Sequence, residues 1–138
     1  MDYSSLNLEK MAENGICVKI KCPLTGKQLK ATDGTDLFIN VLGTDSKPWK
    51  NEIARIKRET AARESPPDEE EIRSESIRAL AAITTDWHAE TALNGKKLSC
   101  TQANAIRLYS ADGLDWLLQQ ISRAAGDRQS LFFEQKSS

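Results

Sequence analysis

The most regular pattern of hydrophobic and polar positions lies in the last third of the chain. Between residues 114 and 125, apolar side chains recur at the spacing of one face of an amphipathic helix. These side chains are Leu114, Leu117, Leu118, Ile121 and Ala125. The pattern predicts a helix that begins after Ser110 or Asp112 and runs to about Ala125, with its apolar stripe in a core.

Residues 16–42 follow a different period. Ile16, Val18 and Ile20 alternate with polar residues, which is typical of a half-buried strand. A turn at residues 22–26, where Pro and Gly favour a reversal of the chain, follows this strand. Residues 27–31 and 36–43 are then two further candidate strands. A small antiparallel sheet or meander is therefore expected here.

Helical spacing returns after Thr44. A helix is predicted to begin near Asp45 or Ser46, and its apolar face holds Trp49, Ile53, Ile56 and Thr60. The prolines after Ser65 end this helix, and Ser65 is the natural cap of the next one, which runs to about His88. The side chains expected to face inward there are Ile72, Ile77, Leu80, Ile83, Thr84 and Trp87.

Asn94-Gly95 ends that helix or the loop after it. Ser99 or Thr101 can cap a short helix that continues through Tyr109. The predicted fold is mainly α (α+β), with a small N-terminal antiparallel β element followed by a bundle of about four to five helices. Residues 1–14 are expected to be a polar arm, either a short helix through Leu6, Leu8 and Met11 or a mobile segment. Residues 15–138 are expected to form one domain, with the β element at 15–43 and the helical region at 44–138.

The composition narrows the class of protein. Charged residues make up 28% of the 138 residues, and the net charge is −1, so no overall field attracts nucleic acid or an anionic membrane. No apolar run approaches the ~20 residues of a membrane span, and the first residues lack the pattern of a secretory signal. Three cysteines, an odd number, indicate a reducing cytoplasm rather than a disulfide framework.

The chain offers no constellation typical of an enzyme. His88 is the only histidine, and Cys17-x4-Cys22 lacks the second ligand pair that a zinc site needs. The acidic run 68–71 has no calcium-loop spacing, and no glycine-rich segment has the frame of a phosphate loop. We therefore predict no catalytic, cofactor or metal site, and a protein that is not an enzyme.

The basic helix at 47–63 supports one alternative function. Its polar face carries Lys47, Lys50, Arg55, Lys57, Arg58 and Arg63. Such a face can contact phosphates, and Trp49 can stack on a base. Glu52 and Glu59 dilute the charge, and the acidic run follows at once. A small nucleic-acid-binding regulator that uses this helix is the alternative function.

Trp116 lies off the apolar stripe of the last helix, together with Gln120 and Arg123. A tryptophan in that position needs cover, because a bare indole is a sticky patch. Either of two parts can cover this tryptophan: the segment 127–133 with Phe132 and Phe133, or another subunit. As a hypothesis, the partner or oligomer interface therefore comprises Trp116, Gln120, Arg123, Phe132 and Phe133.

The order of several sparse positions resembles a known family. After the β element come Gly43-Thr44-Asp45-Ser46-x-x-Trp49, Trp87-(x7)-Gly95-Lys96, Asn104-Ala105-(x3)-Tyr109, Trp116-Leu117-(x2)-Gln120-Ile121 and Phe132. In this order the chain is similar to the tail assembly chaperones of long-tailed (siphovirus-type) bacteriophages. The resemblance covers most of residues 16–133.

The resemblance implies a non-enzymatic role in tail morphogenesis. Such chaperones self-associate, often in open helical or spiral arrangements, and bind the hydrophobic tape measure protein. They recruit tail tube subunits, the major tail protein, in many phages through a longer frameshifted form. The resemblance also implies a place in the host cell cytoplasm and absence from the mature virion.

Overall fold

The computed structural model describes residues 2–63 and 65–127. After a short 3-10 helix at Tyr3–Leu6, this part of the chain contains five α-helices and five short strands. The helices are α1 (Leu8–Asn14), α2 (Lys47–Thr60), α3 (Glu69–Ala82), α4 (Gln102–Ser110) and α5 (Asp115–Gly126). The strands are β1 (Ile16–Lys19), β2 (Phe38–Val41), β3 (Thr84–Trp87), β4 (Ala92–Leu93) and β5 (Lys96–Lys97).

A three-stranded antiparallel sheet in the order β1-β2-β3 forms one side of the core. Val18 on β1 lies opposite Ile39 on β2, and Ile39 lies opposite Trp87 on β3. All three are buried, so one row of side chains crosses the sheet and packs against the helices. The alternation predicted for Ile16, Val18 and Ile20 is confirmed as part of this sheet.

The third strand corrects the predicted placement of the β element. It comes from residues 84–87, inside the region expected to be helical, so the sheet is not confined to the N-terminal 15–43 segment. The predicted strand at 27–31 is present only as isolated bridges at Gln28 and Lys30. The α+β class is confirmed, with five helices and a small antiparallel sheet in the described residues.

Helix α3 differs from its prediction at both ends. Its cap is Asp68, whose carboxylate accepts the N–H of Glu71 at 2.8 Å, and not Ser65. The helix ends at Ala82 rather than near His88, because three β-branched residues follow and continue into β3. Ile72, which was expected to face inward, is 51% exposed. Ile77, Leu80 and Ile83 are buried as expected.

A chain of buried hydroxyl groups secures the junction of α3 and β3. The Thr84 hydroxyl donates to the Leu80 carbonyl at 2.8 Å, and the Tyr109 hydroxyl lies 2.8 Å from the same Thr84 oxygen. Thr84 has one proton, already donated, so Tyr109 is the donor to Thr84. Tyr109 is fully buried, and burial raises its pKa far above the ordinary value. The hydroxyl chain therefore fixes α4 to the helix end.

Helices α2 and α3 pack side by side and share ion pairs. Arg78 on α3 donates to Glu52 at 2.6 Å and to Glu59 at 2.6 and 3.1 Å on α2. Arg63, just after α2, pairs with Glu71 in the first turn of α3. Glu52 is only 4% exposed, and its carboxylate is compensated by Arg78 and by Arg55, whose guanidinium lies 3.2 Å from the second carboxylate oxygen.

The predicted start of α4 is confirmed, whereas α5 begins later than predicted. Thr101 caps α4 by accepting the Asn104 N–H at 3.1 Å. Helix α5 begins at Asp115, not after Ser110 or Asp112, because Gly113 between the helices has a φ of +82°. Leu117, Ile121 and Ala125 of the predicted stripe are buried, and Leu114 and Leu118 pack partly buried against the same core.

The polar N-terminal segment is helical and contacts the body of the protein. Ala12 of α1 is buried, and its carbonyl accepts the N–H of Gly43 at 2.8 Å. Glu9 forms ion pairs with Lys47 and Lys50 of α2. Over residues 2–63 and 65–127, no helix combines the length and the apolar character that crossing a membrane requires.

The hydroxyl chain generates a prediction about stability. Thr84→Val strands the buried Tyr109 hydroxyl without an acceptor, which costs about 1–3 kcal/mol of unfolding free energy. Tyr109→Phe removes one hydrogen bond but strands no donor, and costs about 1 kcal/mol. The double variant should be no less stable than Thr84→Val alone, as urea unfolding can measure. Additive losses would contradict the hydroxyl chain.

Candidate functional site

An apolar cavity of about 290 Å³ opens between the sheet, the β4–β5 hairpin and the α4–α5 corner. Its walls combine buried residues of the core with half-buried side chains at the mouth. The half-buried side chains of the lining, called here the mouth, include Leu29, Leu37, Phe38, Leu114 and Trp116. An open cavity with this lining suits an apolar side chain from another molecule better than a polar substrate.

Of the residues predicted to form an interface, Trp116 is one that lines this cavity. It is half-buried, packs against the core and lines the cavity. Within the described residues, part of its cover therefore comes from the chain itself, and the rest of the residue is exposed. Phe132 and Phe133, the other two aromatic residues of the predicted interface, lie outside the described residues.

Gln120 and Arg123 lie further along α5, beside a separate shallow groove. The Gln120 amide donates to the Lys21 carbonyl at 2.7 Å and accepts the Lys21 N–H at 3.0 Å. The Gln120 side chain thus pairs with the Lys21 backbone in the same way as a neighbouring strand would, and it joins α5 to the chain just after β1. Arg123 is exposed on the wall of the groove. The structure therefore does not bring these two residues into the cavity with Trp116.

A polar cluster borders the cavity and joins two loops. The side chains of Asp33, His88 and Glu90 each place a ligand-type atom within 4.8 Å of the others. The Thr32 hydroxyl donates to Glu90 at 2.9 Å, and the Thr35 hydroxyl donates to Asp33 at 2.5 Å. These hydrogen bonds hold residues 32–35 against residues 88–90. Hydrogen bonds from Thr35 also lower the pKa of Asp33, so that its carboxylate is charged at neutral pH.

The hydrogen bonds of His88 define its tautomer. Nδ1 accepts the N–H of Glu90 at 3.0 Å, so this nitrogen carries no proton. Nε2 lies 2.7 Å from the Thr35 hydroxyl oxygen, and that hydroxyl already donates its proton in the hydrogen bond to Asp33. The proton on the ring is therefore on Nε2, and it is donated to Thr35.

This tautomer limits the chemistry of the cluster. A protonated Nε2 cannot take the proton of the Thr35 hydroxyl, so the pair does not form an activated nucleophile. Coordination of a metal by Nε2 would need the proton on Nδ1, where the Glu90 N–H already points. The sequence did not group these three residues. They form a hydrogen-bonded cluster that places the Glu90 carboxylate on the cavity wall and the Asp33 carboxylate beside it.

One sequence signal could have found the cluster. The signal is His88-x-Glu90, two polar side chains two positions apart, which the structure places in a turn just after β3. It was missed because residues up to 88 were expected to be helical. The Asn94-Gly95 pair was also a hairpin signal, and both residues have positive φ, of 51° and 80°, in the β4–β5 turn.

The basic helix is less available for nucleic acid than its sequence indicates. Arg55 pairs with Glu52, and Lys47 and Lys50 pair with Glu9. Trp49 is half-buried and packs against the core, so only part of its indole is open for stacking. Among the described residues of α2, Lys57 and Arg58 are the cations without an ion pair.

The three cysteines differ in their exposure to solvent. Cys17 is exposed on the outer face of the sheet, whereas Cys22 and Cys100 are half-buried. Burial raises the pKa of Cys100. Hydrogen bonds, led by the Leu24 N–H, lower the pKa of Cys22. Neither Cys17 nor Cys22 belongs to a ligand cluster in the described part of the chain.

Comparisons with known proteins do not place this α+β domain in a family: no family model, curated protein or solved structure matches the chain. The fold and the cavity are therefore interpreted from their own chemistry.

The tautomer of His88 generates a prediction about metals. Because Nδ1 is held by a backbone N–H, a tenfold excess of Zn²⁺ or Mn²⁺ should leave the thermal unfolding midpoint unchanged. Differential scanning fluorimetry of the wild type and His88→Ala measures this. A midpoint that rises with metal in the wild type, and not in His88→Ala, would show that the cluster rearranges to bind it.

Proposed function

We propose that the protein is a non-enzymatic tail assembly chaperone of a long-tailed bacteriophage, which self-associates and binds the tape measure protein. In this role it recruits tail tube subunits, through an extended form of the chain where one is made. It acts in the host cell cytoplasm and does not remain in the mature virion. The proposal unites the family resemblance of the sequence with the character of the cavity.

The observation that carries the proposal is the open apolar cavity bordered by Trp116. Aromatic and aliphatic side chains around a partly open cavity are typical of the centre of a protein interface, where one anchoring side chain of the partner is buried. A chaperone of a hydrophobic, helical partner needs such a surface. The half-buried side chains at the mouth supply it.

The polar groups beside the cavity favour binding over catalysis. His88, Asp33 and Glu90 are already hydrogen-bonded to groups of the chain itself. General acid–base work requires a group that can exchange a proton with a substrate. The ion pairs of α2 likewise disfavour the nucleic-acid alternative, because they neutralise most of the cations that phosphates would contact.

Two measurements test the proposal. Sedimentation velocity over a wide range of concentration should show reversible association of the chain. Co-expression with the tape measure protein encoded in the same phage genome should yield a complex that survives purification. A chain that stays monomeric and forms no such complex would remove the basis of the proposal. Salt-sensitive binding to duplex DNA, lost in Lys57→Glu/Arg58→Glu, would instead favour the regulator.

The tryptophans generate a prediction that separates folding from binding. Trp87 is buried and its Nε1–H donates to the Leu98 carbonyl at 2.9 Å. Trp87→Ala should therefore cost about 3–5 kcal/mol of unfolding free energy. Trp116→Ala should cost less, because the indole is only partly buried, yet should weaken association or tape measure binding.

Urea unfolding and sedimentation of the two variants measure both effects. A Trp116→Ala protein that folds, assembles and binds like the wild type would show that the indole is not part of the interface.

A further inference from the structure

The turn at residues 22–27, called here the Leu24 turn, presents an unusual side chain to solvent. Leu24 is 92% exposed, more than any other large hydrophobic residue of the described chain. Its neighbour Pro23 is exposed as well. A single exposed leucine is common on protein surfaces, so its meaning depends on how it is held and on what could receive it.

The Leu24 turn is held rigidly at both ends. The Cys22 N–H donates to the Lys27 carbonyl at 2.8 Å, and the Gly26 N–H donates to the Cys22 carbonyl at 2.8 Å. Gln120 fixes the preceding residue, Lys21, through its two backbone hydrogen bonds. A side chain on a pre-ordered turn loses little conformational entropy when it is buried by a partner.

The charges around the Leu24 turn are opposite to those around the apolar cavity. Lys21 and Lys27 flank the turn, are exposed, and have no salt bridge within residues 2–63 and 65–127. Glu90 lines the cavity, and a carboxylate oxygen of Asp33 lies within 4.8 Å of one of Glu90; neither residue has a salt bridge in the described residues, whereas nearby Asp36 is paired with two lysines. A leucine between lysines and an apolar cavity beside carboxylates are complementary surfaces.

We propose that Leu24 of one copy of the chain inserts into the apolar cavity of a second copy. Lys21 and Lys27 then lie beside Asp33 and Glu90 of that second copy. The inference rests on the self-association in the proposed function and names the two surfaces that carry it. A cavity of 290 Å³ has room for one large aliphatic side chain, since an engineered cavity of about 150 Å³ already accommodates benzene.

The contact joins two different surfaces of the chain. Each copy carries one Leu24 turn and one cavity, so two copies can form the contact reciprocally, or successive copies can form it head to tail. Because the two surfaces lie on one chain, a variant that loses the turn still offers its cavity. This separation of roles makes the contact testable by mixing variants.

Two substitutions disable the two surfaces separately. Leu24→Ser removes the inserted side chain, and Ala92→Trp fills the cavity from an exposed position on its wall. Each should weaken association by at least about tenfold in sedimentation velocity. Ile72→Ser is the matched control, because it removes another exposed aliphatic side chain, on α3, that lines neither surface. All three variants should keep the unfolding midpoint of the wild type.

Mixing the two disabled variants is the decisive measurement. Leu24→Ser retains its cavity and Ala92→Trp retains its Leu24 turn, so the mixture should associate more strongly than either variant alone. Replacing Lys21 and Lys27 with Glu should also weaken association of the otherwise unchanged chain by several-fold, through repulsion from Asp33 and Glu90.

The outcomes separate this contact from the proposed function. A wild-type chain that stays monomeric would overturn self-association and the contact together. A wild-type chain that associates, with Leu24→Ser and Ala92→Trp associating equally well, would overturn the contact alone. Loss of tape measure binding in Ala92→Trp with self-association intact would also overturn it, and would assign the cavity to the tape measure protein.

Discussion

The rest of the structure depends on the change from helix to strand at Ile83 and Thr84. The β-branched residues there disfavour another helical turn, and the hydroxyl chain from Tyr109 through Thr84 to the Leu80 carbonyl holds the helix end in place. The Ile83 carbonyl then accepts the Leu42 N–H at 2.9 Å, so pairing with the second strand begins at once. Trp87 enters the core as a result.

The same change positions the polar side of the cavity. The His88 N–H donates to the Phe38 carbonyl at 3.1 Å, and the two rings meet edge to face with centroids 5.8 Å apart. Glu90 follows at the cavity mouth, where Thr32 and the His88 ring fix its loop. A helix continued to His88 would have placed neither ring nor carboxylate there. The cavity, its acidic border and the core tryptophan therefore share one structural cause.

The surfaces that remain after folding are pre-ordered rather than adaptable. Gln120 fixes the start of the Leu24 turn, and the threonine–carboxylate hydrogen bonds fix the loops beside the cavity. Many polar groups of these regions are hydrogen-bonded within the chain, whereas the cavity lined by Trp116 and the exposed Leu24 offer apolar surface that the described chain leaves uncovered. Ordered polar groups beside exposed apolar surface are typical of protein interfaces.

Local patterns in the chain determined those elements whose signals lie within a few residues. The alternation at residues 16–20, the periodic stripe from Leu114 to Ala125 and the cap at Thr101 all predicted elements that are present. Trp116 was singled out because an indole off that stripe needs cover, which is again a local observation. Tertiary structure decided the third strand, the acidic border of the cavity and the role of Gln120. These rest on pairings between distant residues, such as Lys21 with Gln120 across 99 positions, and no periodicity within one segment records which distant segment will complete its hydrogen bonds.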